Sequence, residues 1–188
     1  MINKFLAWAV AGVLGSVVLM ACNSPTSPKP APLFLAAQMA LSDNAVQGWD
    51  TTAVSHAGTY NDTSALFNTI DGNAGVYWQI APFTQAFIQG LGNNQDTISS
   101  WVFSYANQST ATSVFKNRIF WAVNDSATLA PYSTSVAIGD TIYPIGVKAY
   151  AHFGNCYFEL IVNSSTRTRA IADAVQFLQV YEKRINAN

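Results

Sequence analysis

Two stretches of this chain carry the pattern of a β-hairpin, and each is followed by a helical pattern. In the first, FTQAFIQGL and TISSWVFSYA flank the turn-forming sequence GNNQD. In the second, KAYAHF and CYFELIVN flank the dipeptide Gly154-Asn155. Because strands joined by such short connections pair antiparallel, the chain is expected to build an antiparallel sheet from these two hairpins.

Three segments have the apolar spacing of an amphipathic helix. The predicted helices are one that begins at Asp62 or Thr63 and ends at Pro82, one in 109–121, and one in 166–185. The hairpins and helices together predict an α+β fold, with about three helices packed on the antiparallel sheet.

The two hairpin-helix units share a short sequence, which leaves a ββα pseudo-repeat open. NQSTAT at 107–112 and NSSTRT at 163–168 match at four of six positions, 56 residues apart. Asn, Ser and Thr accept hydrogen bonds from the first amides of a helix, so convergent capping explains the match equally well.

The remaining segments give weaker patterns. Residues 33–41 fit a short helix or an extended entry segment, and alternation over 51–57 is weak. The stretch 124–135 is turn-like, and short strands are expected around Gly139-Asp140.

The N-terminus has the three parts of a secretory signal: Lys4, an uncharged apolar run over 5–21, and the small residue Ala21. Leu19-Met20-Ala21-Cys22 resembles the lipobox of bacterial lipoproteins, in which the cysteine becomes the acylated first residue. Cys22 is therefore the predicted lipidation site, with palmitate among the expected acyl groups. An uncleaved transmembrane helix is the alternative, but 17 residues is short for one.

A tether is predicted between Cys22 and the domain. Residues 22–32 contain four prolines, which favour extended, unpaired backbone. The domain organisation is thus a signal peptide over 1–21, a Pro-rich tether over 22–32 and one α+β domain over 33–188. Asn23, by resemblance to Gram-negative sorting rules, directs the lipoprotein to the outer membrane.

Charge excludes a strong electrostatic case for nucleic-acid binding. Without Lys4 the chain has eight basic and ten acidic residues, and no basic cluster stands out. The expected partners are the membrane, through the acylated N-terminus, and an envelope protein or glycan.

No catalytic motif, metal-ligand spacing or cofactor motif stands out. Asp71-Gly72-Asn73 lacks the further ligands of a calcium loop, and His56 and His152 have no nucleophile elbow beside them. Glu159 alternates with Phe158 and Leu160, which favours a solvent-facing side chain. Cys156 is expected to be a small buried hydrophobe. No catalytic residue, metal or cofactor is therefore assigned.

Aromatic residues are dense around the two hairpins. Alternate strand residues point to opposite faces, so some aromatic side chains lie on the far face of the sheet. If that face is open, Trp101, Tyr105, Tyr150 and Tyr157 form a binding surface. If helices cover both faces, they belong to the core.

The middle of the chain carries a set of features in fixed order. They are GWD around Trp49, LFNTIDGNAGVYWQ at 66–79, a Phe-containing strand, an aromatic strand before SVFKN, and Ile138 to Asp140 ahead of the second hairpin. In this order they resemble a family of uncharacterised bacterial exported proteins known as a domain of unknown function. APF at 81–83 and Gly75 depart from the family's pattern. The resemblance covers most of residues 45–165. It implies a compact α+β exported domain and no activity.

The sequence thus predicts a lipid-anchored cell-envelope lipoprotein, with the outer membrane as its location. Its domain is predicted to be a non-enzymatic binding or envelope-assembly module. The alternative is an envelope-located hydrolase whose residues come together only in the fold.

Overall fold

The structure is a computed structural model that describes residues 33–70, 82–124, 129–133, 135–140 and 146–187. The predicted signal peptide, Cys22 and the tether lie outside the described residues, as does Asp71. The described residues belong to one compact unit of the chain.

Eight strands and three α-helices are described. The strands are β1 (Asp50–Thr52), β2 (Gly58–Tyr60), β3 (Gln85–Gly92), β4 (Thr97–Ser104), β5 (Leu129–Ser133), β6 (Val136–Asp140), β7 (Gly146–Phe153) and β8 (Cys156–Asn163). The helices are α1 (Thr63–Thr69), α2 (Gln108–Asn124) and α3 (Arg167–Asn186), and a 3-10 helix spans Ala36–Met39.

The strands form one antiparallel sheet in the order β1, β3, β4, β8, β7, β6, β5. The strand β2 also pairs with β3: β2 lies along its first half and β1 along its second half. The two predicted hairpins, β3–β4 and β7–β8, are confirmed, and β4 pairs with β8 to join them. The α+β prediction is therefore correct.

Side-chain caps fix where the helices begin. Asp62 accepts a hydrogen bond from the Ala65 amide at 2.7 Å, and Thr166 caps α3 through the Arg169 amide. Asn107 accepts a hydrogen bond from the Thr110 amide at 2.9 Å and caps α2. Each cap pairs an amide that the first helical turn leaves without an intrahelical partner.

Both faces of the sheet are covered by helices. The apolar side of α3 packs on one face, against residues such as Val102, Phe158 and Leu160. The helices α1 and α2 pack on the opposite face, against residues such as Phe103 and Tyr157. Alternation along β4 and β8 therefore separates two cores, because successive side chains point to opposite faces.

The order β-hairpin then helix occurs twice, but the two units differ in space. The helix α2 lies on one face of the sheet, and α3 lies on the other. The two cap residues, Asn107 and Thr166, are 59 positions apart rather than 56, and Asn163 is the last residue of β8. The matched residues Asn107 and Asn163 therefore have different roles, because the first caps a helix and the second ends a strand.

Three short strands lie in segments whose sequence patterns are weak or turn-like. The strand β1 includes the first two of residues 51–57, β2 begins directly after them, and β5 lies within the stretch 124–135 that is predicted to be turn-like. The strand β5 is an edge strand that contains Pro131, and a proline without an amide hydrogen is tolerated at a sheet edge. None of the helices in the described ranges is both long and apolar enough to cross a membrane.

Candidate functional site

The four aromatic residues of the predicted binding surface share one face of the sheet, but that face is covered. Trp101, Tyr105, Tyr150 and Tyr157 are all buried in the core beneath α1 and α2. Burial raises the pKa of the Tyr157 hydroxyl well above its ordinary value. These residues therefore stabilise the layer of helices on this face and offer no exposed aromatic strip.

Glu159 is buried, so the predicted solvent-facing position is wrong. Its side chain does point away from Phe158 and Leu160, but α2 covers the face on which it lies. Arg118 of α2 forms a salt bridge with it at 3.2 Å, and Tyr157 donates a hydrogen bond at 3.2 Å. Lys148 lies 3.9 Å away. The salt bridge between Glu159 and Arg118 therefore connects α2 to the strand β8 in the middle of the sheet.

The two histidines are separated and line neither of the two clefts described below. His152 on β7 packs against Phe115 at a ring distance of 4.8 Å, and its Nδ1 atom lies 3.4 Å from the Thr112 hydroxyl. His56 has a left-handed backbone, with φ of 66°, and its ring lies 6.5 Å from that of Trp101. Cys156 is fully buried, which raises its thiol pKa to about 12 and agrees with the predicted structural role.

A polar cleft of about 780 Å³ lies where three segments meet. Its walls come from residues 47–52, which include β1, from the turn between β3 and β4, and from Arg169 and Asp173 at the start of α3. The segments meet because β1 pairs with the last residues of β3, with Asp50 opposite Gly92. The cleft therefore forms at the edge of the sheet, beside the N-terminal end of α3.

The β3–β4 turn is held in shape by its own side chains. The Asn93 side-chain oxygen accepts hydrogen bonds from the amides of Gln95 and Asp96, at 2.8 and 2.7 Å. The Asn93 amide in turn donates to the Asp96 carbonyl at 3.0 Å. Such closed Asx turns order the backbone, so the cleft wall is pre-formed.

The wall around β1 is held in the same way. Asp43 accepts two hydrogen bonds from Thr51, one from its amide and one from its hydroxyl, and these lower the pKa of Asp43. Gly48 has a left-handed φ of 79°, and the amide of Gly48 donates to the side chain of Asn44. Beneath this turn, the buried Trp49 ring packs edge-on against Phe177 of α3 at 4.9 Å.

Two carboxylates of this region have pKa values that move in opposite directions. Burial opposes the ionisation of Asp96, but the polar groups of Ser164 and Asn93 and the Arg169 guanidinium hold its pKa below the ordinary value. The Arg169 Nε atom lies 2.7 Å from the Asp96 carboxylate. Burial and the neighbouring charge of Asp96 raise the pKa of Asp173. Asp96 is therefore a structural anion, whereas Asp173 lines the cleft.

The cleft offers hydrogen-bonding groups rather than a catalytic pair. Amides and hydroxyls dominate its lining, together with the carboxylates of Asp50 and Asp173. Within the described part of the chain, no three acidic, histidine or cysteine side chains cluster as metal ligands. A second, smaller cleft of about 340 Å³ lies between β6, β7 and α3, and its lining is more apolar.

No sequence motif marks the polar cleft, because its residues are loop amides and hydroxyls from three distant segments. The turn sequence GNNQD was recognised only as a hairpin connection. One signal was present: Asp96 directly precedes a strand, and Arg169 lies near a helix start, where a basic residue does not complement the helix dipole. The salt bridge between them explains that misplaced charge.

The fold and the cleft together define an α+β domain with a pre-formed polar cleft beside its last helix. Among solved structures, the chain is similar to the crystal structure of the extracellular domain of PknH from Mycobacterium tuberculosis. The TM-score is 0.53 and the identity 12%, and the match covers 84% of this chain and 100% of the other. At this identity the likeness establishes a shared fold. No family model and no curated protein matches the chain.

Proposed function

We propose that this protein is a lipid-anchored cell-envelope lipoprotein whose domain is a non-enzymatic binding module. The polar cleft is its binding site. The location is supported by the apolar run that ends at Cys22 and by the proline-rich stretch behind it. The structural neighbour is itself an extracellular domain, which is consistent with an exported protein.

One observation carries the binding role: the cleft is the size of a ligand site and has pre-formed walls. Its volume of about 780 Å³ lies within the range of about 300–1,000 Å³ that small-molecule sites occupy. Its Asx turn and the hydrogen bonds from Thr51 to Asp43 hold these walls through contacts within the chain itself. A pre-formed site loses less conformational entropy on binding.

A hydrolase remains a second candidate, because the pKa values of Asp96 and Asp173 are moved apart. Carboxyl pairs with separated pKa values serve as acid and base in hydrolases. However, the Asp96 side chain is fully buried and is paired with Arg169, so it cannot reach a substrate. Binding is therefore preferred. Hydrolysis of chromogenic glycosides that disappears in the Asp173→Asn variant would favour the enzyme instead.

The location is tested by replacing Cys22 with Ala in the native host. The wild-type protein should sediment with membranes and should show an acylated N-terminal cysteine by mass spectrometry. The Cys22→Ala variant should appear as soluble protein or as a signal-bearing precursor. Cys156→Ala is the matched control, because Cys156 is buried in the domain and its loss should leave the location unchanged. An unacylated wild-type protein would refute the anchor.

The sorting prediction has its own variant. In a Gram-negative host, Asn23→Asp should move the protein from the outer-membrane fraction to the inner-membrane fraction. Density-gradient separation of the two membranes measures this distribution. If both variants reside in the same membrane, Asn23 does not direct sorting, whereas the lipid anchor itself is unaffected.

A further inference from the structure

We infer that the polar cleft binds an uncharged glycan chain, through hydrogen bonds with its side-chain amides, hydroxyls and carboxylates. This inference rests on the proposed binding function and names its ligand class. It is carried by three features of the cleft: the chemistry of its exposed lining, its local charge and its fixed walls.

The exposed lining is made of groups that pair with sugar hydroxyls. Carboxamides donate and accept in one plane, and threonine hydroxyls do both from a single atom. The lining side chains of this kind that are exposed to solvent are Gln47, Asn94, Gln95, Thr51, Thr52 and Thr97. Such groups suit a ligand with many hydroxyls, and carboxamides also pair with acetamido groups.

The charge of the cleft disfavours an anionic ligand. Arg169 is the basic residue among the described lining residues, and its guanidinium contacts Asp96 and Gln95. The carboxylates of Asp50 and Asp173 also face this region, so the local charge is negative. Phosphate-bearing or carboxylate-bearing ligands would meet repulsion, whereas hydroxyl groups of a neutral glycan can donate to these oxygens.

Asp173 is suited to accept such a hydrogen bond. Its side chain is half-buried and lines the cleft. A hydrogen bond from a ligand hydroxyl to an ionised carboxylate is charge-assisted and is stronger than one between neutral groups. Asp173 also stands on the first turns of a long helix, which holds the carboxylate in a fixed place.

The cleft lacks the features of a cation site. The described residues contain no cluster of three metal-ligating side chains, and Arg169 places a positive charge in the wall. Hard cations such as Ca²⁺ require six to eight oxygen ligands around one point. The mixed donors and acceptors of the lining therefore favour a neutral, polyhydroxylated chain over an ion.

The test measures binding to the acylated full-length protein in detergent, by isothermal titration calorimetry. The neutral probes are chitohexaose and cellohexaose, which differ in the acetamido group. The charged probes are hexalysine and a heparin hexasaccharide. We expect a neutral hexasaccharide to bind and the anionic heparin hexasaccharide not to compete for its site.

Variants locate the binding. Asp173→Asn should weaken the affinity for the neutral probe by about tenfold or more, the usual effect of losing a hydrogen bond to a charged group. Gln47→Ala should weaken it severalfold. The matched control is Gln179→Ala, an exposed amide of α3 that lines the second cleft. It should leave the affinity unchanged, and circular dichroism should show that every variant is folded.

The outcomes separate this inference from the proposed function. Binding of hexalysine or heparin alone, or no binding of either neutral probe, overturns the ligand class while the acylation results for Cys22 stand. Neutral binding that survives Asp173→Asn and Gln47→Ala places the site elsewhere and also overturns the inference. Loss of acylation at Cys22 refutes the anchor, whatever the cleft binds.

Discussion

Asn155 joins three segments of the domain through a single buried side chain. Its oxygen accepts a hydrogen bond from the Phe34 amide at 2.8 Å, and its amino group donates to the carbonyls of Phe34 and Tyr105 at 2.9 and 2.8 Å. Its own carbonyl accepts from the Tyr105 amide. A residue that marked only a turn in the sequence thus binds the entry segment to the end of β4.

Replacing Asn155 with Ala should lower the free energy of unfolding by about 3 kcal/mol, because buried backbone groups of Phe34 and Tyr105 lose their partner. Urea denaturation at neutral pH measures this change. Asn68→Ala, at an exposed position in α1, should change stability by less than about 0.5 kcal/mol. Equal stabilities for the two variants would show that Asn155 is not a structural link.

Asp173 is expected to lower the free energy of unfolding at neutral pH, although it contributes to ligand binding. Its pKa is raised in the folded protein, so the folded state holds this proton more tightly than the unfolded chain. The stability that the neutral form contributes is present below the unfolded pKa. It is lost as the pH rises through the raised folded pKa. At neutral pH the ionised carboxylate is therefore unfavourable in the folded state.

Asp173→Asn should consequently raise the free energy of unfolding at pH 7. At about pH 3, where the carboxyl is protonated in both states, it should have little effect. Chemical denaturation at the two pH values measures the difference. A variant that is less stable than the wild type at pH 7 would contradict the expected sign. A gain in stability with a loss of glycan binding is typical of functional sites.

At the scale of elements, a buried pair of opposite charges connects α2 to the sheet. Glu159 pairs with Arg118, whose guanidinium also lies 6.0 Å above the centre of the Tyr150 ring. The Glu159 side chain is 2% exposed and that of Arg118 is 11% exposed, so both charged groups are largely desolvated. A buried charge that loses its partner is costly, whereas a buried pair is close to neutral for stability.

Glu159→Gln should therefore destabilise the protein by about 3 kcal/mol, because it leaves the Arg118 charge unbalanced. Adding Arg118→Met to this variant should recover part of the loss. A double-mutant cycle by urea denaturation gives the interaction energy between the two residues. Additive effects of the two single variants would show that the salt bridge does not fasten α2 to the sheet.

The elements that could be predicted are those whose pattern is local. The two hairpins and the helices α2 and α3 follow from periodicity and turn residues, and their ends were placed within a few residues. The strands β1 and β2 have three residues each, which is too short for alternation to be visible. The burial of Glu159 depends on which helix covers which face, and alternation along one strand does not contain that information.

The cleft was not predicted either, because it is formed by segments that are distant from one another in the sequence. Thr51, Asn94 and Asp173 are polar residues of ordinary type, and each by itself is typical of a solvated surface. They meet only because β1 pairs with β3 and α3 begins beside the β3–β4 turn. A site assembled by long-range pairing has no signature within any one segment of the sequence.

At the scale of the whole domain, the cleft and the point of chain entry lie at opposite ends of the sheet. Asn155 binds Phe34 beside the end of β4, where Ser104 pairs with Cys156. The cleft lies at the other end of β4, where Thr97 pairs with Asn163. Eight strand residues separate the two ends, which corresponds to roughly 25 Å.

This separation predicts that the lipid anchor determines where the domain is held and does not affect what it binds. The acylated protein and the released Cys22→Ala protein should bind a neutral hexasaccharide with dissociation constants that agree within about twofold. The reason is that the hydrogen bonds of Phe34 lie at the opposite end of β4 from the cleft, so we expect a coupling free energy close to zero. Calorimetry of both forms in the same detergent measures the two constants.

Asp173→Asn provides the control for this comparison, since it should weaken both forms by the same factor. A difference above about fivefold between the acylated and released proteins corresponds to about 1 kcal/mol of coupling. Such a difference would mean that the entry segment and the cleft communicate through the sheet. Asn155→Ala would then be expected to change the affinity as well, because it removes the hydrogen bonds that connect Phe34 to the end of β4.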